Sequence, residues 1–357
     1  MKIRVYSSIS AILLCLLITF PASAIPLYYD VTRILPADGY SITTARALND
    51  AGQVVGNMFN FTEPSVAFVW DSSNGAQDLN DLATASVNLS QAININNAGQ
   101  IIGRTDSANE GYLWSPASAD TTVLGFQPID INDSGEIISD SQYYDSISGN
   151  LVTAPATVAS LAAINNNGLV AGSGQVNGSS QYYAETWDPI SGVVQSFTDT
   201  SSFSTAINDL GVVVGGYFGQ PGSFLFDPSS DQFLELTVEG IQGNRANAIN
   251  NDGLIVGNAF DGPFLNLAVV WEFDGQNILS YDLNSLINDP LTVLMNAVDI
   301  NSSGQILSLG RYNGVTSSFL LTPRFATVPS PATFWLLVLA MLIFWSQQKK
   351  LKVSKKR

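Results

Sequence analysis

The sequence predicts an all-β fold, a seven-bladed β-propeller of four-stranded meander blades whose last blade is completed by an N-terminal strand at 27–35. Three observations predict it. A glycine motif recurs seven times, an aromatic strand follows most copies, and a spare strand-like segment precedes the first copy while the last copy has no room for an outer strand.

The motif reads ALNDAGQVVG at 47–56, NINNAGQIIG at 94–103, DINDSGEIIS at 130–139, AINNNGLVAG at 163–172, AINDLGVVVG at 206–215, AINNDGLIVG at 248–257 and DINSSGQILS at 299–308. Its first glycines (Gly52, Gly99, Gly135, Gly168, Gly211, Gly253, Gly304) are spaced by 47, 36, 33, 43, 42 and 51 residues. That is the period of propeller blades; the coils of an open β-solenoid are shorter and more regular. Each copy reads as a hairpin in which an apolar strand end meets two small or polar residues, then a glycine that supplies positive φ, then a β-branched run. The asparagine opening each turn (Asn49, Asn96, Asn132, Asn165, Asn208, Asn250, Asn301) is expected to bond the turn's own N–H groups.

The aromatic strands are AFVW ending at Trp70, GYLW at Trp114, AETW at Trp187, SFLF at Phe226, AVVW at Trp271 and the related SFLL at Leu321. One tryptophan per repeat in the same strand reads as core packing rather than a set of sugar-stacking platforms. A fourth apolar segment follows in QDLNDL (77–82), VVQSF (193–197) and FLELTV (233–238). Blade three, 127–160, is the poorest match, with Ser139 for the second glycine and no tryptophan. The seventh repeat stops at Leu321-Thr322-Pro323, so LYYDVTRIL (27–35) is expected to complete it and remove the open edge of the meander.

These repeats resemble the HAF family of extracellular repeats, whose pattern joins an Ile-Asn-x-x-Gly-x-Val-Val-Gly hairpin to an Ala-Phe-x-Trp strand. The resemblance spans 45–321 and implies an extracellular setting without implying an enzymatic role.

The ends carry targeting signals. Lys2 and Arg4 precede an apolar run from Ile9 to Phe20 and then Pro21-Ala22-Ser23-Ala24, which predicts a signal peptide at 1–24 cleaved by signal peptidase after Ala24. At the other end an uncharged run, Ala332 to Trp345, precedes KKLKVSKKR. The run predicts a transmembrane helix at 332–347 and a basic cytoplasmic tail at 348–357, with the body on the exported side. Such a helix is short for a bilayer, roughly 21 Å at about 1.5 Å per residue against about 30 Å of hydrocarbon. Between body and helix, 324–331 reads as a linker. Val328-Pro329-Ser330-Pro331-Ala332 resembles the Val-Pro-Glu-Pro-Ala motif of PEP-CTERM sorting signals, with Ser330 in place of glutamate. That resemblance implies an exosortase-like enzyme as partner and removal of the tail on the way to the surface. The propeller itself is assigned to 25–323.

Eight of the 14 basic residues sit in the two end segments, leaving six arginines against 30 acids in the body, a formal charge of −24. A body of that sign excludes nucleic acid as a partner. Histidine is absent and the single cysteine, Cys15, lies in the signal segment, which excludes serine–histidine triads, histidine-based zinc sites, thiol chemistry and disulfides from the exported body. No catalytic, cofactor-binding or metal-binding residue is assigned. The Asx-rich turns, such as 130–136, carry oxygen ligands suited to calcium but lack the EF-hand pattern, and tight turns need the same residues. Two function classes follow: an exported structural or binding protein of the cell envelope or extracellular matrix engaging glycan or protein, or a glycan hydrolase working with two carboxylates on the same ring.

Overall fold

The computed structural model describes residues 28–325 apart from 63, 85–86, 176–178, 199 and 263–264. The signal segment with Ala24, the motif Val328 to Ala332, the predicted helix at 332–347 and the basic tail lie outside the described residues. Among the described residues no helix is long and apolar enough to cross a membrane.

Seven four-stranded antiparallel sheets form the blades. Blade 1 runs through Ile42–Leu48, Val54–Phe59, Val66–Asp71 and Gly75–Asp78 from its inner to its outer strand. Blades 2 to 6 repeat this order, their inner strands being Leu89–Ile95, Asp130–Ile131, Val158–Ile164, Ser202–Ile207 and Gly243–Ile249. Blade 7 is made of Thr292–Ile300, Ile306–Tyr312 and Val315–Arg324, with Tyr28–Ile34 as its outer strand. The closing register runs from Tyr28 opposite Arg324 to Ile34 opposite Ser318. The N-terminal strand thus completes the ring as the sequence predicts.

Sheets packed face to face around an axis bury both surfaces of their middle strands. Val54, Val55, Ala67, Phe68, Val69 and Trp70 are accordingly all buried, and such strands read as continuous apolar runs without alternation. Each junction has its own core. Ile34, Leu307 and Leu320 of blade 7 meet Met58, Phe68 and Trp70 of blade 1. At the junction of blades 5 and 6, Trp271 is fully buried and its indole N–H donates to the Thr237 carbonyl at 3.0 Å. Each fully buried phenylalanine, such as Phe68 or Phe319, contributes about 1.5–3 kcal/mol by leaving water.

The second glycine of the motif answers a bulge in the inner strand. The register shifts between Ala246 and Ala248 opposite Gly257, and a Cβ on Gly257 would stand 2.0 Å from the Arg245 carbonyl oxygen. Gly56, Gly103, Gly172 and Gly215 are in the same position. In blade 7 the bulge is doubled, Gly310 takes the close approach, and Ser308 instead donates its hydroxyl to the Asn296 carbonyl at 2.9 Å.

Three sequence boundaries are corrected. Blade 3 ends at Asn150–Thr153, and Val158–Ile164 already belongs to blade 4. In QDLNDL only Gln77 and Asp78 extend the outer strand. Leu79–Leu82 is one helical turn capped by Asp78, because Asn80 is needed to bond the N–H and carbonyl of Leu89 at the entry to blade 2. Arg324, assigned to the linker, ends the last strand and pairs with Asp30 of the closing strand.

Candidate functional site at the ring axis

The seven motif turns meet at one end of the axis. In each, the glycine has φ between 75° and 82°. The asparagine oxygen binds the turn as expected: Asn49 Oδ1 accepts the N–H of Ala51 at 3.1 Å and of Gln53 at 3.0 Å. The side-chain amide does something the sequence reading did not anticipate. Asn49 Nδ2 donates to the carbonyl of Asn96 in the next blade, Asn96 to Asn132, Asn132 to Asn165, Asn165 to Asn208, Asn208 to Asn250, Asn250 to Asn301, and Asn301 back to Asn49, at 2.9–3.2 Å. All seven side chains are buried. Each asparagine therefore holds its own turn with one atom and its neighbour with the other.

A second ring lies just outside the first. Asp50, Asn97, Asp133, Asn166, Asp209 and Asn251 alternate around the rim, and Ser302 fills the seventh place. The N–H of each of the first five donates to the side-chain oxygen of the next residue in the ring at 2.8–2.9 Å. Ser302 N–H does the same to Asp50. The amide of Asn97 bridges Asp50 and Asp133, and that of Asn166 bridges Asp133 and Asp209. The rim thus places each carboxylate beside neutral amide donors and keeps like charges apart. The two rings enclose an open polar cavity of about 200 Å³.

Behind the rings a second axial cavity of about 290 Å³ is lined by Arg46, Asn94, Asp130, Asn247 and Asp299, among others. Burial pushes the Asp130 carboxyl up to about 6 and the Asp299 carboxyl up to about 7. Both are set in the low-dielectric wall of the channel, so their charged forms are poorly solvated. Both are also engaged by backbone. Asp130 accepts from Ile131 and from Ile164 of the next blade, and from the Asn94 amide. Asp299 accepts from Ile300 and from Leu48 of the next blade. They join inner strands across blade junctions, three blades apart around the ring.

The sorting-motif residues Val328 to Ala332 and Ala24 lie outside the described residues. Trp70, Trp114, Trp187 and Trp271 are buried at blade junctions, as core residues. Among the described residues no group of three or more acids is placed to hold a metal ion. What the sequence reading missed is a cavity of about 520 Å³ on the opposite face, between blades 4 and 5, edged by aromatic side chains that fall outside the repeat.

No family model matches the chain, and no curated protein does. Solved structures resemble it in fold. A catalytically inactive virginiamycin B lyase from Staphylococcus aureus with quinupristin matches with a TM-score of 0.52 and 10% identity over 82% of this chain and 99% of the lyase. The β-propeller domain of the trilobed protease from Pyrococcus furiosus, described as having an open velcro topology, matches at 0.53 and 10% over 79% of this chain and 93% of the domain. An extracellular domain from B. thetaiotaomicron matches at 0.50 and 12% over 82% of this chain, which spans only 40% of that domain. At these identities the likeness is one of fold, and the chain is a seven-bladed β-propeller with four-stranded antiparallel blades, closed by its own N-terminal strand.

Proposed function

We propose that this chain is an exported structural or binding protein of a bacterial cell surface or extracellular matrix, working without catalysis. The observation that carries the reading is the occupancy of the axis. The side chains that a catalytic propeller would aim at a substrate are spent on bonds between blades: Asn49 to Asn301 on a closed ring, Asp50 and its successors on the rim, and Asp130 and Asp299 on neighbouring inner strands. A ring so committed is a rigid scaffold that binds through its faces. The terminal signals supply the address: signal peptidase after Ala24, then an exosortase-like enzyme at Val328 to Ala332, or retention by the helix at 332–347. The partners this leaves are an extracellular glycan or protein.

Intact mass of the protein from its native host, with its distribution between membrane, surface and medium, tests the reading. A surface or released species starting at Ile25 and ending near 328–332 supports export with processing, and a surface species retaining KKLKVSKKR supports a permanent anchor. A full-length cytoplasmic species overturns it. The hydrolase reading rests on Asp130 and Asp299 sharing one cavity; it requires glycan cleavage that Asp130→Asn or Asp299→Asn abolishes with the fold intact.

A further inference from the structure

The cavity between blades 4 and 5 differs in kind from the axis, because its polar groups are not all spent. Tyr182 and Phe218 stand 6.0 Å apart with planes at 55°, and Phe203 and Phe218 stand 4.9 Å apart at 54°. Three tilted rings make a concave apolar wall without stacking their faces away. Tyr182 and Phe218 are 39% and 47% exposed, so ring surface in the cavity is open to a guest. Facing this wall is Ser204, only 4% exposed, whose Oγ makes no hydrogen bond to any described residue. At the rim the Asp140 carboxylate accepts the Ser160 hydroxyl at 2.9 Å. Among the described residues no lysine or arginine lines the cavity.

These features define a ligand chemistry. The volume, about 520 Å³, lies within the roughly 300–1,000 Å³ of small-ligand pockets. A wholly apolar guest would cover the rings but offer nothing to the Ser204 hydroxyl, which is already buried without a partner, or to the Asp140 carboxylate. An anionic guest would meet Asp140 with no base to offset it, on a body of −24. A pyranose has a C–H face to lie on an aromatic ring and hydroxyls at its edge to bond a serine and a carboxylate. We propose that the cavity lined by Tyr182, Phe203, Phe218, Ser204 and Asp140 is a binding site for a pyranose unit of a neutral oligosaccharide. This names the partner class within the surface-binding reading above and rests on it.

The test is calorimetric titration of the full-length protein with neutral gluco-, manno-, xylo- and galacto-oligosaccharides, with oligogalacturonate as the anionic probe and an aromatic-rich peptide as the apolar one. At least one neutral saccharide is expected to bind with a Kd below about 5 mM, the affinity falling about tenfold in Phe218→Ala and in Tyr182→Ala and staying within about twofold in Tyr182→Phe. Ser204→Val, which replaces the hydroxyl by methyl groups, is expected to weaken binding while leaving the thermal midpoint unchanged, so lost affinity is separated from lost fold. The proposal is overturned if no neutral saccharide binds, if binding ignores these substitutions in folded variants, or if oligogalacturonate or the peptide occupies the cavity in preference. Because the assay uses purified protein, a negative result leaves the surface-binding reading standing, and a cytoplasmic location would remove that reading without touching a measured affinity.

Discussion

The side-chain amide of Asn301 donates to the backbone carbonyl of Asn49 at 3.0 Å, joining residues 252 positions apart. This bond is the seventh of an identical set, and it turns a row of hairpins into a ring. It lies at one end of the axis, while the pairing of Tyr28–Ile34 with Val315–Arg324 completes blade 7 at the periphery.

Removing a member of that set should be costly. Asn301 Oδ1 accepts from Ser303 and Gln305 and its amide reaches Asn49, all in a buried setting. Asn301→Ala is expected to lower stability by about 2–4 kcal/mol in urea unfolding, since partners are left unsatisfied. Asn301→Asp should be at least as harmful, because it sets a carboxylate against the Asn49 carbonyl.

The outer rim makes a prediction from parity. Strict alternation of Asp and Asn cannot close around an odd number of places, and Ser302 is the neutral break between Asn251 and Asp50. Ser302→Asn supplies a longer acceptor for Asn251 and an amide for Asp50, and should raise stability by about 0.5–1 kcal/mol. Ser302→Asp places a second carboxylate beside Asp50 and should lower it. Thermal midpoints of the two variants, measured at low salt, are expected to move in opposite directions.

Gly257→Ala should destabilise by about 2 kcal/mol or more, because its Cβ would stand 2.0 Å from the Arg245 carbonyl oxygen and the backbone would have to shift. Ala at Gly125, where added atoms meet open space and φ is not in the left-handed region, should be near neutral. Denaturant midpoints of the pair check the close approach.

Stability should rise toward mild acid. Burial raises Asp130 to about 6, Asp299 to about 7 and Glu185 to about 7, so the fold favours their protonated forms. Their contribution is complete below the unfolded carboxylate range near 4 and is lost as pH rises through about 6–7. Asp71, Asp145 and Asp188 are held low by the side chains of Asn74, Ser148 and Ser191, and their contribution is lost only as pH falls below that range. The thermal midpoint is therefore expected to increase from pH 8 to about pH 5 and to fall again below about pH 4. Asp299→Asn should flatten the limb between pH 5 and 8; an unchanged limb in that variant would remove Asp299 from the explanation.

The blade count, the turn glycines and the closing strand were legible in the sequence because each is a local rule repeated seven times or a deficit at one end that a surplus at the other repairs. Blade 3, the poorest match, shows the limit of the rule: its first two strands shrink to Asp130–Ile131 and Glu136–Ile138. The asparagine ring was half legible. The turn bond is set within five residues, whereas the bond to the next carbonyl depends on how far one blade is rotated from its neighbour, which no local pattern encodes. The aromatic cavity was not legible at all. Tyr182, Phe203 and Phe218 come from two blades, and only the packing of blade 4 against blade 5 brings them together.

The closing strand also sets an order of events. Thr32 is opposite Leu320, so the closing strand is made well before the partner it pairs with. At about 5–20 residues per second a ribosome needs on the order of 15–60 s to make the intervening chain. Throughout that time Tyr28–Ile34 has no strand to join, and the circle cannot shut. Its own connectivity leaves the ring open until the final blade has been delivered.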